Sequence, residues 1–537
     1  MRLSSVGLAG VLAVVLGSCS GGSTSSNTVP AVSLGAQAPV SAAVNPAPLN
    51  VIPEAVSVNA AVNLTLQARF NAENRPSFFW NGQEVAPTIR VRPGDTINLT
   101  FVNALPEFCS VGIETDANLH FHGMHSSPIP PGDNVITTKA APGGSTGYVI
   151  HVNPDQPPGL YWYHAHVHGL SAWEVGNGLA GAIVVEGIGN YVPQTAGLRE
   201  RVIVLRDPPI SSSFLAGEQS VLRRTGTVTP SATARKPLDA DSTGGNACSP
   251  ETDMTPTING ARLASIGIRP GETELIRVVN AASHRHFDLT VDGQQLQLVS
   301  QDGVPVSMYP GEPAMIPVSD IIIPPAGRAE FLLTGSRVPA ALISKCFGSG
   351  PVGNNDPEVA LGVFTDDSHW PSHSTEKTQS ERHVARLASV RRSPFFNSRM
   401  PAPVQERIVH FQEDPTGNYL YLNGQQYNAN APSMFTAHSG TTEEWTLEND
   451  TEEVHVFHIH QVHFIVESVN GVPNPSPHWL DTIDLASTGI GVAGQIIPSQ
   501  TKVLIDFRDP VIRGTFVFHC HILDHEDHGM MAKITVL

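Results

Sequence analysis

The residues best suited to chemistry in this sequence are histidines, and their distribution is uneven. The chain has 537 residues and 23 histidines, of which 15 fall within residues 120–168, 455–463 and 519–528. Four His-X-His pairs stand in these windows: His120/His122, His164/His166, His458/His460 and His519/His521. Because residues two apart on a β-strand share a face, each pair can aim two imidazoles at one place. Imidazoles collected in this way predict a metal cluster.

A cysteine stands between the two histidines of the last pair. On a strand, Cys520 must point away from those histidines, so one strand can serve two metal groups. With His455, His525 and Met530 it forms a set of two imidazoles, one thiolate and one thioether. These are the ligands of a blue-copper electron-transfer site. Zinc is the competing metal, but eight clustered imidazoles exceed the four ligands of a zinc site.

The elements that must position these residues are strands, and one strand pattern occurs three times. An Asn-Gly turn leads into two strands joined by a Gly-centred turn, and the second strand ends on asparagine. The copies span residues 81–103, 259–280 and 423–449, with starts 178 and 164 residues apart. Asn-Gly is a strong signal for a tight turn between strands. Three copies at domain-sized intervals predict three β-sandwich domains in series.

The composition agrees with an all-β protein and excludes several other classes. Charged residues make up 15% of the chain, against about 25% in an average domain. The 47 glycines and 44 prolines favour strands joined by tight loops. The net charge of −18 argues against nucleic acid as a partner. Only five cysteines in so long a chain exclude a disulfide-rich miniprotein.

The N-terminus has the pattern of an export signal. An apolar run over residues 6–16 is typical of a signal peptide, and the sequence LGSC ending at Cys19 resembles the lipobox of bacterial lipoproteins. An ordinary secretory signal is the alternative. We expect a signal peptide with a lipobox at 1–19 and a disordered tether at 20–54. The protein would then be periplasmic or at the cell surface, with lipid on Cys19 as its only membrane anchor.

Together these motifs resemble those of the multicopper oxidase family, which includes laccases and cuprous oxidases. The resemblance extends from about residue 55 to the end of the chain and implies three cupredoxin-like Greek-key β-sandwich domains. The expected boundaries are 55–195 for the first domain, 196–365 for a copper-free second domain, 366–402 for a linker and 403–537 for the third domain. We expect a monomer.

The resemblance also implies ligands for four copper ions. Type 1 copper would take His455, Cys520, His525 and Met530, and type 2 copper would take His120 and His458. The type 3 pair would take His122, His164, His166, His460, His519 and His521. Phenols or small aromatic donors would give electrons singly to the type 1 site, and O2 would be reduced to water at the cluster. Oxidation of Cu(I) or another metal ion in copper tolerance is the alternative.

Two carboxylates are candidates for donating the protons that O2 reduction consumes. Asp133 follows the first motif at a spacing similar to that of the family's acidic residue. Glu526 directly follows a type 1 histidine, as in bacterial cuprous oxidases. Four more histidines lie beside the motifs without fitting them, and we expect them to form hydrogen bonds near the ligands or an auxiliary copper site: His125, His168, His463 and His528.

Three cysteines and the two histidines of the second domain lie outside these motifs. Bacterial spore-coat laccases bridge positions similar to Cys248 and Cys346, so the resemblance implies this disulfide and leaves Cys109 free. His284 and His286 in the second domain have no cysteine motif and are expected to be structural or relics. A binding protein that kept the fold and lost catalysis is the alternative class, and the complete ligand set disfavours it.

Overall fold

The structure, a computed structural model, describes residues 46–106, 115–209, 254–367, 395–490 and 496–537. Two five-stranded sheets form between residues 54 and 185. In spatial order, one contains Glu54–Val56, Thr88–Val91, Ala180–Val185, Gly159–His164 and His120–His122, and the other contains Gln83–Glu84, Pro76–Trp80, Ala61–Phe70, Thr96–Asn103 and Ser145–His151. Alternate side chains such as Leu64, Leu66 and Phe101 point inward and form a core with residues of both sheets.

The middle of the chain forms a second pair of sheets. The six-stranded sheet contains Ala47–Pro48, Ala264–Ile268, Val359–Asp366, Ala340–Lys345, Phe287–Val291 and Ile321–Ile323. The seven-stranded sheet contains Thr257–Ile258, Arg199–Arg206, Thr273–Asn280, Arg328–Thr334, Leu296–Gln301 and Val304–Pro305, with Ile316–Val318 beside Leu296–Gln301. Phe347–Gly348 and Asn355–Asp356 form a separate two-stranded ribbon.

The C-terminal part forms the third pair of sheets. The seven-stranded sheet contains Leu420–Leu422, Gln405–Glu413, Thr441–Asn449, Ser499–Phe507, Phe464–Val469 and Val472–Pro473, with Trp479–Leu480 beside Phe464–Val469. The five-stranded sheet contains Phe435–Ala437, Met531–Val536, Gly514–Cys520, His455–Ile459 and Thr482–Leu485. Gly489–Ile490 and Ile496–Ile497 form a ribbon.

Helices are short in the described part of the chain. The α-helices are Ser171–Asn177 and Leu523–Asp527, and the 3₁₀ turns are Ile188–Asn190, Pro193–Thr195, Val306–Met308 and Pro510–Ile512. No helix within the described ranges has the length and apolar character needed to cross a membrane.

The three sequence repeats have equivalent backbone geometry. Each Asn-Gly turn has its asparagine in the left-handed region, with φ of 50° at Asn81, 48° at Asn259 and 49° at Asn423. This is the conformation that a type I′ turn requires and that asparagine tolerates well. The predicted turns are therefore confirmed.

The asparagine that ends each repeat is also equivalent in the three sandwiches. Asn103, Asn280 and Asn449 are fully buried. Each donates its side-chain amide to backbone carbonyls and accepts from the backbone N–H two residues later. A buried amide satisfied in this way fixes the loop that follows the strand. The all-β fold with three sandwiches is confirmed, while the domain boundaries stay a prediction.

Several predicted features lie outside the described residues. These are the signal peptide, the lipobox at Cys19, most of the tether and of the linker, and the cysteines Cys109 and Cys248. Cys346 is disulfide-bonded. Its predicted pairing with Cys248 stays a prediction.

Candidate metal centre

Paired strands in the first and third sandwiches carry the four His-X-His motifs. In the first sandwich, His120 stands directly opposite His164 on the neighbouring antiparallel strand. In the third, His458 stands opposite His519 in the same way. In each sandwich, two adjacent strands therefore bring their motif histidines side by side.

The eight imidazoles of these motifs meet where the first and third sandwiches face each other. All are at most 1% exposed. The Nε2 atoms of His166, His460 and His519 lie 3.1–3.2 Å from one another. The ring centroids of His122 and His458 are 3.8 Å apart, which joins the two sandwiches at a second point. The structure thus brings together all eight histidines that the sequence predicts for the cluster.

Backbone carbonyls orient several of these rings. Nδ1 of His164 and Nδ1 of His519 each donate to the carbonyl of the following residue at 2.9 Å. Nδ1 of His458 donates to the carbonyl of Asp481 at 2.8 Å. A neutral imidazole with its proton on Nδ1 has a lone pair on Nε2. These bonds therefore present Nε2 as a metal ligand, which is the usual arrangement behind ligating histidines.

Many nitrogen atoms of the cluster imidazoles have no hydrogen-bond partner in the protein. Within the described residues, these buried imidazole nitrogens lack a hydrogen-bond partner: Nε2 of His120, His164 and His458, Nδ1 of His122, His166 and His460, and both nitrogens of His521. Unpartnered buried polar atoms are costly and rare. Each neutral ring has one lone pair to offer, and a metal ion that accepts lone pairs from several of these rings fits the site.

Burial also disfavours the charged form of seven of these imidazoles. Desolvation, followed by the charges of neighbouring imidazoles, lowers the pKa of six histidines well below the usual value: His122, His164, His166, His458, His460 and His521. The same burial lowers the pKa of His519 to about 3. Metal binding requires the neutral imidazole, so the site is prepared for a metal at neutral pH.

A second group of candidate ligands lies on the other side of the strand that carries His519. The Sγ atom of Cys520 is 3.7 Å from His455 Nδ1 and 3.6 Å from His525 Nδ1, and these two nitrogens are 3.0 Å apart. Met530 is fully buried. Its carbonyl accepts from the N–H of Cys520, and its N–H donates to the carbonyl of His525. Two imidazoles, a thiol and a thioether-bearing residue are thus collected in the third sandwich.

The thiol of Cys520 is not ionised by its surroundings. Burial first, and the nearby carboxylates Glu453 and Glu526 to a lesser degree, raise its pKa to about 12. The N–H of Val456 donates to Sγ at 3.3 Å, which favours the thiolate only in part. A metal ion must therefore displace the thiol proton to gain this ligand.

Asp133 lies against the cluster from the side of the first sandwich. It is 1% exposed. Its Oδ2 atom accepts from Nδ1 of His120 at 3.0 Å and from Nε2 of Gln461 at 3.1 Å. Since Gln461 belongs to the third sandwich, Asp133 both orients a cluster imidazole and joins the two sandwiches.

Glu526 approaches the cluster from the opposite sandwich. It is fully buried, with one oxygen 3.5 Å from His166 Nδ1 and the other 3.7 Å from His519 Nδ1. Ser171 donates its hydroxyl to Glu526 Oε1 at 3.1 Å. The two carboxylates predicted from the sequence therefore both lie beside cluster histidines.

Sequence reasoning missed an ion pair between the middle and third sandwiches. Arg328 is fully buried and donates to both carboxylate oxygens of Asp481, at 2.7 and 2.5 Å. The Oδ1 atom of Asp481 lies 3.3 Å from His122 Nε2, which leaves Nδ1 of that ring as the free nitrogen. Neither residue belongs to a histidine motif, so only the three-dimensional packing reveals this support.

The four histidines beside the motifs form contacts of their own. His125 Nε2 and His463 Nδ1 are 2.8 Å apart, and His463 Nε2 bonds the carbonyl of Asp302 at 3.1 Å. This pair joins all three sandwiches beside the cluster. The ring of the exposed His168 lies against a tyrosine at a centroid distance of 4.7 Å, and His528 Nδ1 bonds the carbonyl of the residue four positions earlier at 2.6 Å.

The histidines of the middle sandwich sit among carboxylates. His286 Nε2 is 3.0 Å from Asp484 and its Nδ1 is 3.4 Å from Asp356. Burial disfavours the charged ring, but these two carboxylates outweigh it and raise its pKa to about 9. His284 Nε2 is 3.6 Å from Asp207. A protonated imidazole has no lone pair for a metal, which agrees with a structural role for His286.

Three β-sandwiches with two such ligand groups define the class of copper proteins built from cupredoxin-like domains. Sequence profiles described as multicopper oxidase match residues 64–189, 226–341 and 399–537. The chain therefore belongs to the multicopper oxidase family. Membership implies copper as cofactor, O2 as acceptor and a reducing substrate.

Named relatives differ in what they are known for. The multicopper oxidase mco of Staphylococcus epidermidis is 23% identical over 493 residues, which cover 89% of each chain. The laccase of Bacillus subtilis is 22% identical over 86% of this chain and 90% of its own. The cell division protein FtsP of Escherichia coli is 25% identical over 85% of this chain and 84% of its own.

Solved structures agree on the fold. The multicopper oxidase of Campylobacter jejuni, described as a metallo-oxidase, matches with a TM-score of 0.66 and 19% identity over 91% of this chain and 95% of its own. At this identity the match establishes the architecture.

Proposed function

We propose that the protein is a laccase-like oxidase that takes single electrons from phenols or small aromatic donors and reduces O2 to water. The observation that carries this proposal is the buried group of eight imidazoles, seven of which have a nitrogen without a hydrogen-bond partner within the described residues. A separate group of two histidines and a cysteine lies beside it. A chain that had kept the fold and lost catalysis would have no reason to retain so costly an arrangement.

Each ligand group is assigned by motif position and contacts. We assign His455, Cys520, His525 and Met530 to a type 1 copper. We assign His120 and His458 to a type 2 copper, and His122, His164, His166, His460, His519 and His521 to a type 3 pair. When bound, these four coppers would supply the one-electron redox chemistry that side chains lack.

The chain itself provides a short path between the two groups. Cys520 is joined through the backbone to His519 on one side and His521 on the other. The carbonyl of Cys520 also accepts from His519 Nδ1 at 2.9 Å, which adds a hydrogen-bonded connection. An electron arriving at the thiolate therefore has only a few bonds to cross to reach the cluster imidazoles.

The two carboxylates beside the cluster would supply protons for O2 reduction. Reduction of one O2 to two waters consumes four electrons and four protons, so proton donors must lie close to the reacting oxygen atoms. Asp133 and Glu526 are buried against cluster histidines from opposite sandwiches. We assign both as proton donors, with Asp133 also holding the ring of His120.

Oxidation of Cu(I) or another reduced metal ion is the second candidate. The structurally similar Campylobacter jejuni protein is described as a metallo-oxidase, and the S. epidermidis relative is named a multicopper oxidase without a substrate.

We further propose that the protein is exported, in keeping with the signal-like N-terminus of the sequence.

The test is O2 consumption by the copper-loaded protein, measured separately with a phenolic donor and with Cu(I). Uptake with the phenol supports the laccase-like proposal, and uptake with Cu(I) alone supports the second candidate. Uptake with neither contradicts both. The control is Cys520→Ser, which should lose the blue colour and at least about 10³-fold of the activity while keeping cluster copper. A variant that stayed blue would refute the type 1 assignment.

A further inference from the structure

The turn that follows the His458/His460 motif has an unusual residue at its tightest point. Gln461 has a φ of 64°, in the left-handed region. The other non-glycine residues with positive φ in the described part of the chain are asparagine, aspartate or alanine. A long side chain is disfavoured in this conformation, and strain of this kind persists only where the surrounding structure holds it. Gln461 is 1% exposed, so contacts in the interior must hold it.

The first sandwich has glycine in the equivalent turn. Gly123 directly follows the His120/His122 motif and has a φ of 81°. Glycine adopts this conformation without strain, so it would also be the least costly residue at position 461. The presence of glutamine there indicates that its side chain makes contacts that outweigh the cost to the backbone.

The side-chain amide of Gln461 spans the contact between the first and third sandwiches. Its Nε2 atom donates to the carbonyl oxygen of Asp133 at 3.2 Å and to Asp133 Oδ2 at 3.1 Å. Its Oε1 atom accepts from the hydroxyl of Ser126 at 3.1 Å. Both partners follow the His120/His122 motif in the chain, and both are 1% exposed. Residues of the first sandwich therefore satisfy both the nitrogen and the oxygen of this amide.

These contacts connect two cluster imidazoles across the interface. Asp133 Oδ2 accepts from His120 Nδ1 at 3.0 Å. Gln461 is the neighbour of His460 in the chain, and the ring of His460 stacks on that of His120 with centroids 3.7 Å apart and an angle of 11° between the planes. Each imidazole is thus tied to a polar residue of its own sandwich, and the two polar residues are tied to each other.

We propose that Gln461 is a positioning residue, which holds the first and third sandwiches in the register that places His120 against His460 for copper binding. It acts through its hydrogen bonds to Asp133 and Ser126, and these bonds are the reason that a strained backbone is kept at this turn. This inference rests on the assignment of both histidines to copper under the proposed oxidase function.

The test uses Gln461→Gly in the copper-loaded protein. Glycine relieves the backbone but removes all three hydrogen bonds, so the copper assigned to His120 should be held about tenfold more weakly. A chelator titration measures this loss by the electron paramagnetic resonance signal of the type 2 copper. The blue colour of the type 1 site should be unchanged, and it shows that the variant is folded.

Two further variants separate hydrogen bonding from packing. Gln461→Glu keeps the size of the side chain but has no N–H to donate, so it should weaken the copper as much as Gln461→Gly does. Ser126→Ala removes one bond from the opposite side of the interface and should cause a smaller loss in the same direction. It tests the same contact even where a Gln461 variant does not fold.

The matched control is Ala60→Gly. Ala60 has a φ of 63° and is exposed in a turn of the first sandwich, so this change relieves the backbone without removing an interface contact. It should alter neither the chelator titration nor the resonance signal. Wild-type copper affinity in Gln461→Gly, in Gln461→Glu or in Ser126→Ala would overturn the inference. A wild-type protein that binds no copper at the cluster would instead refute the proposed function.

Discussion

Two kinds of buried histidine in the described part of the chain can be compared. Between the first and third sandwiches, imidazoles are surrounded mainly by other imidazoles, and their pKa values are depressed. In the middle sandwich, His286 is equally buried but faces two carboxylates, and its pKa is raised to about 9. The first kind has free lone pairs, and the second kind is a cation in a closed ion pair.

The difference shows that burial alone does not make a metal ligand. An imidazole buried among imidazoles is neutral and unsatisfied, and only a metal can satisfy several such rings at once. An imidazole buried among carboxylates is instead held in its charged form by them. In the middle sandwich, His286 is held in this way by Asp484 of the third sandwich.

The largest expected effect of this difference is on acid stability. In the copper-free protein, the seven cluster histidines with depressed pKa values cannot take up protons while folded, whereas each does so below about pH 6.5 when unfolded. The stability of the folded protein is therefore retained above pH 6.5 and is lost as the pH falls. Each of these histidines can lower the free energy of unfolding by up to about 1.4 kcal/mol per pH unit. The copper-free protein should therefore unfold between about pH 6.5 and 5.

Urea unfolding of the copper-free protein at a series of pH values measures this effect. The copper-loaded protein is the control, because bound metal competes with protons for the same nitrogens and should move the acid transition to lower pH. Equal stability of the copper-free protein at pH 7.5 and pH 5.5 would contradict the assignment of these rings as neutral.

The sequence was informative about this cluster because its histidines follow a local rule. Alternation along a strand puts His519 and His521 on one face and Cys520 on the other, and the structure shows that arrangement. Repeat spacing likewise predicted three sandwiches, which the equivalent Asn103, Asn280 and Asn449 confirm. Both inferences depend on residues that are close in the chain.

Contacts between distant segments could not be predicted in this way. Arg328 and Asp481 are 153 residues apart and belong to different sandwiches. Asp133 and Gln461 are 328 residues apart and likewise belong to different sandwiches. The charged state of His286 also depends on a carboxylate of another sandwich, so its sequence context gave no indication of it.

A smaller effect of opposite pH dependence is expected at His286. Its folded pKa of about 9 lies above the unfolded value of about 6.5. The contribution of His286 to the free energy of unfolding is therefore fully present below pH 6.5 and is lost as the pH rises through 9. His286→Leu should destabilise the copper-free protein by at most about 3 kcal/mol near pH 6.5 and by much less near pH 10. Urea unfolding at both pH values measures this difference, and a pH-independent loss would show that packing, not charge, is the cause.

The smallest expected effect is a gain of stability from removing one of the histidines proposed as ligands. Neither nitrogen of His521 has a hydrogen-bond partner in the described part of the chain. Leucine removes both buried polar atoms at similar volume, so His521→Leu should stabilise the copper-free protein by about 1–2 kcal/mol at pH 7.5. His519→Leu is the matched control and should gain less, because its Nδ1 bonds a backbone carbonyl. A destabilised His521→Leu would mean that this imidazole is satisfied without metal, and that the two kinds of buried histidine are not distinct.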